Sequence, residues 1–117
     1  MTARDIERRI ENFVKAARAH YAATLAGDHE KVNAQAKSLQ RAFQEIVALG
    51  DVGRDALLVK AENEEVAVAA MAAVYSLRHN TAKAIEILRH IAMQPGLIGF
   101  EAQQALQRWE EGSWQLE

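Results

Sequence analysis

The chain of 117 residues contains no cysteine. That excludes a disulfide framework, a thiolate metal centre and a cysteine nucleophile together. Proline occurs once and glycine six times, and aromatic residues make up 6%. So little turn chemistry argues against a β-sandwich or barrel, and against a disordered chain. No run approaches the roughly 18 consecutive apolar residues that a membrane-spanning helix needs. The first ten residues, MTARDIERRI, carry charge from Arg4 onward and hold no apolar leader-like core. The expectation is a cytoplasmic protein. Net charge is only −2. There is accordingly no overall electrostatic case for nucleic acid or for an anionic membrane.

Apolar residues make up 50% of the chain and charged residues 26%. Those proportions suit one globular domain, which at this length can bury roughly 65% of its unfolded surface. Spacing of the apolar residues predicts helix throughout, since they recur in steps of three and four. Ile6, Ile10, Phe13, Val14, Ala17, Tyr21 and Leu25 form one stripe over residues 3–25, with Thr2 and Asp5 placed as a capping box. Gly27 stops that helix and Asp28 caps the next, 29–49, whose stripe is Val32, Ala36, Leu39, Phe43, Ile46 and Val47. Two long helices joined by Gly27–Asp28 are expected to fold back antiparallel. A short helix follows at 53–60.

Residues 66–77, VAVAAMAAVYSL, carry no charge in twelve positions. A helix apolar on all sides belongs in an interior, so this segment is expected to be the spine of the fold, with Ala70 enclosed. Asn63 is its expected N-cap, with Glu64 and Glu65 at the positive helix end. A fifth helix is predicted at 81–93, capped by Asn80 or Thr81, and a sixth at 98–111. Between them Pro95 ends the fifth helix, Gly96 allows the tight link, and Gly99 is expected to permit close approach of a neighbouring helix.

Val66, Ala70, Val74 and Leu77 match Ile98, Ala102, Leu106 and Trp109 at a constant offset of 32 residues. Helical hairpins recurring at such a period are the mark of an α-solenoid. The segment ENEEVAVAAMAAVYSL resembles the second helix of a HEAT-like repeat, although Ala67 stands where the usual arginine follows the valine. The chain as a whole is similar to a small bacterial family, the domain of unknown function 2019 family. The likeness rests on IENFVKAARAHYAATLAGDHEKVN, ALLVKAENEEVAVAAMAAV, AIEILRHIA and GLIGFEAQQALQRWEEGSW. It implies a HEAT-like α–α superhelical fold; with the apolar spacing, the expected fold is all-α, a short α–α superhelix of three helical hairpins and six helices over 1–117, with a long N-terminal hairpin at 1–50 and HEAT-like hairpins at 53–77 and 80–111. It implies no activity.

Candidate chemistry is thin. Glu86 and His90 stand one turn apart, as two metal ligands could, but no third ligand is evident and no H-E-x-x-H occurs. The acidic groups Glu62, Glu64, Glu65 and Glu110, Glu111 fall at helix ends, where carboxylates are solvated. Ser38, Ser76 and Ser113 lack a nucleophile elbow, and GDVGRD at 50–55 lacks the lysine and the strand of a phosphate loop. Arg4, Arg8, Lys15 and Arg18 share a flank of the first helix with Asp5, Glu7 and Glu11, which reads as a solvated face.

No catalytic residue, cofactor or metal is assigned. The expectation is a non-catalytic interaction module for an unidentified protein partner, of which an immunity-like protein masking a toxin would be a special case. Candidate surface residues are Val68, Met71 and Tyr75, spaced i, i+3, i+7, together with Trp109 and Trp114. Each has a competing role in the core, and the tryptophans as the closing end of a short stack. The alternative is a small-ligand protein or enzyme with a pocket between the N-terminal hairpin and the fourth helix, using Tyr21, Tyr75 and His20. A homodimer closing on the tryptophan-rich end is the third reading.

Overall fold

The computed structural model describes residues 2–62 and 65–112. Among the described residues there are six helices and no strand, the all-α fold that the apolar spacing predicts. They are α1 (Ala3–Ala26), α2 (His29–Val47), α3 (Asp51–Lys60), α4 (Val66–Tyr75), α5 (Thr81–Ala92) and α6 (Gly96–Glu110). The chain divides into two compact units, Met1–Leu57 and Leu58–Glu117.

In the first unit the termini of α1 are set by local chemistry. The Thr2 hydroxyl accepts from the Asp5 backbone N–H at 3.2 Å, and the Asp5 carboxylate accepts from the Thr2 backbone N–H at 3.4 Å. This reciprocal pair satisfies two of the orphan donors at a helix start. Asp5 is in turn held below its ordinary 3.8, first by the Thr2 backbone and then by the Thr2 hydroxyl. At the other end Gly27 adopts the left-handed conformation, with φ of 69°, and its N–H reaches back to the carbonyls of Ala23 and Thr24. Asp28 then caps α2 by accepting from the Lys31 N–H at 3.1 Å.

The two helices pair antiparallel. The Arg9 guanidinium near the start of α1 donates to the Glu45 carbonyl near the end of α2, at 2.8 Å. Ile10, Phe13, Val14 and Ala17 are buried on α1, and Leu39, Ala42, Phe43 and Ile46 on α2. The predicted stripes are longer than the buried seam. Leu25 is 61% exposed and Ala36 is exposed, because a two-helix hairpin encloses only the side chains directly between its helices. The first turn of α3 sits against the end of α2: a Cβ at Gly53 would overlap the Ile46 carbonyl oxygen and lie 2.9 Å from the Leu49 Cβ. The Arg54 guanidinium stacks over the Phe43 ring, 6.0 Å from its centre. α3 starts at Asp51, two residues before the predicted start, with that carboxylate in the first turn where the helix dipole favours it.

In the second unit α4 packs against both α5 and α6. None of its ten residues is exposed; Val68, Ala69, Ala72, Ala73 and Val74 are buried and the other five are half-buried. The uncharged segment is therefore an interior helix, as its composition predicts. Three details differ from expectation. The helix ends at Tyr75, and Ser76 to His79 turn back towards α5. Ala70 is half-buried, whereas Ala72 and Ala73 are fully enclosed. The N-cap position belongs to Glu65; the expected cap Asn63, with Glu64, lies outside the described residues.

α5 begins with Asn80, whose side chain accepts from the Lys83 N–H at 3.2 Å. On α6 the buried residues are Gly99, Ala102 and Ala105. Their burial aligns with that of α4 at 33 residues, Ala69 with Ala102 and Ala72 with Ala105, one residue away from the match of apolar types. A shift of one residue turns a helix by about 100°, so the two alignments select different faces. No helix among the described residues is long and apolar enough to cross a membrane.

Candidate functional site

The α5–α6 link is shaped by three residues. Pro95 cannot continue α5, and it takes an extended conformation with φ −73° and ψ 164°. Gly96 follows with φ of 83°, which a side-chain-bearing residue adopts only with strain. Gly99 was expected to admit a neighbouring helix. Its closest neighbour is instead the link itself: an added Cβ would overlap the Gln94 carbonyl oxygen and stand 3.5 Å from that of Ala92. The chain thus folds so tightly over the end of α5 that only glycine fits. Gln103 on α6 secures the same corner, donating from Nε2 to the Ala92 carbonyl at 3.0 Å. That bond satisfies one of the carbonyls left open at a helix end.

This tight corner carries apolar side chains outward. Met93 is 80% exposed, Phe100 56% and Leu97 36%. At about 100° per residue, Leu97 and Phe100 fall on the side of α6 opposite its buried Ala102 and Ala105. Single exposed apolar residues are ordinary, but three within eight chain positions of one corner make a candidate patch.

Beside the patch an open groove of about 580 Å³ runs along α4 and α5. Ala61, Ala69 and Ile91 are buried among its lining residues, and Val66 and Ile87 are half-buried. Glu62, Glu86, Arg89, His90 and Gln94 supply its charged and polar groups, and Met93 belongs to both groove and patch. Lys83 pairs with Glu62 at 2.6 Å. Both partners are well exposed, so the pair holds the rim in place with a net contribution of at most about 1 kcal/mol.

The residues singled out from sequence are placed as follows. Val68 has no solvent exposure and is withdrawn from the surface, because it lies on the enclosed side of α4 with Ala69, Ala72 and Ala73. Met71 and Tyr75 are half-buried. Burial raises the Tyr75 phenol above its ordinary 10.0. Trp109 is half-buried near the end of α6, and Trp114 lies outside the described residues. His20 and Tyr21 are half-buried on α1 in the first unit, whereas Tyr75 belongs to the second. Glu86 and His90, read as a surface pair, are both exposed and both border the groove. Among the described residues no group of three or more His, Cys, Asp or Glu is arranged to hold a metal ion. On α1 the basic flank is interleaved with acid: Arg8 lies 4.0 Å from Asp5, and Arg18 4.0 Å from Glu11.

Sequence reasoning missed Met93, Leu97 and Phe100. A signal was present: α6 holds Leu97, Ile98, Phe100, Ala102, Ala105, Leu106 and Trp109, more apolar positions than one helix face accommodates. Some of them had to remain outside.

Comparison of the chain with protein families, with curated proteins and with solved structures gives no match.

Proposed function

We propose that the protein is a non-catalytic interaction module, and that it receives a partner protein at the α5–α6 corner. The observation that carries this reading is the joint exposure of Met93, Leu97 and Phe100 on a corner held by Pro95, Gly99 and Gln103. A preformed apolar patch loses little conformational freedom on binding, and burying it releases surface from water. The groove alongside adds apolar depth and charged rims that would orient the incoming chain. A HEAT-like ancestry belongs to the same proposal, supported by consecutive helices on short links with α4, α5 and α6 packed against one another.

The test compares the wild-type chain with the Met93→Glu/Phe100→Glu double variant as bait in extracts of the native host. Both baits are first shown to have the same thermal midpoint within a few degrees. The expected result is a protein retained by the wild type and lost by the variant. If the wild type retains nothing that the variant loses, the reading fails.

A further inference from the structure

No further inference is drawn: the strongest candidate, the exposed apolar corner of Met93, Leu97 and Phe100 with the adjoining α4–α5 groove, belongs to the site already described, and nothing in the structure shows what covers it.

Discussion

At the scale of single residues, the decisive contrasts are between positions of one type in different surroundings. Ala72 and Ala73 have no exposure, while Ala70, two positions earlier, is half-buried. Ala72→Asp would place a carboxylate where neither water nor a cation can reach it. Burying an uncompensated charge costs at least about 3 kcal/mol. Chemical denaturation should show the variant largely unfolded, whereas Ala70→Asp should be milder. Gly53→Ala offers a sharper test, because the usual sign is reversed. Alanine in a helix is ordinarily favoured over glycine by about 1 kcal/mol. At residue 53 the new methyl would overlap the Ile46 carbonyl oxygen. The variant should therefore melt lower than the wild type, not higher.

Asp5 gives a pH dependence whose direction follows from its surroundings. Its carboxyl titrates lower in the folded chain than in the unfolded one, because Thr2 donates to the ionised form. A depressed folded value contributes stability that is present above the unfolded value of about 3.8 and is lost as pH falls through the folded one. Asp5→Asn should accordingly lower the thermal midpoint at pH 7. The gap between variant and wild type should narrow below pH 3.8. A gap that does not change with pH would mean that ionisation of Asp5 is not coupled to folding.

At the scale of helices, starts and stops were legible because they are written in neighbouring residues. Thr2 with Asp5, Asp28 and Asn80 each accept a hydrogen bond from a backbone N–H three positions on. Such caps need no knowledge of the rest of the molecule. Removing one should cost about 1 kcal/mol. Asn80→Ala should lower stability by that amount and loosen the first turn of α5, seen as faster amide exchange at Lys83. Less legible was which stretch of each stripe would be covered. Leu25 continues the α1 pattern faithfully, yet is exposed. Periodicity fixes a face; the partner helix decides how much of that face is closed.

The same reasoning explains the corner at Met93–Phe100. Pro95 and Gly96 announced a break between helices, and the break is there. The role of Gly99 could not be read from sequence, since its critical neighbour is the Gln94 carbonyl, brought close by the turn of the chain. Gly99→Ala should consequently disturb the link first. Its stability loss should be accompanied by chemical-shift changes centred on Ala92 to Gly96 in a two-dimensional amide spectrum.

For the molecule as a whole, the helical class followed from spacing and composition, and its six helices appear in the expected order with several ends displaced by two residues, α6 for one starting at Gly96 and not at residue 98. The proposed binding surface did not follow in the same way. Val68 was a candidate for it and proved enclosed, whereas Met93, just past α5, and Leu97 and Phe100 on α6 are exposed. An apolar residue looks the same in sequence whether it meets another helix, a partner or water. The distinction arises only when all six helices are in place. Met93→Glu/Phe100→Glu should therefore leave stability within about 1 kcal/mol of the wild type while removing partner binding, the pairing of effects that separates a recognition patch from a core.

The packing of the second unit turns on α4 as an interior helix, and native-state amide exchange measures this directly. The account predicts that the amides of Val68 to Val74 exchange only through near-global unfolding, among the slowest in the chain. Exchange of those amides within seconds in the native protein, with α1 and α2 still protected, would contradict it.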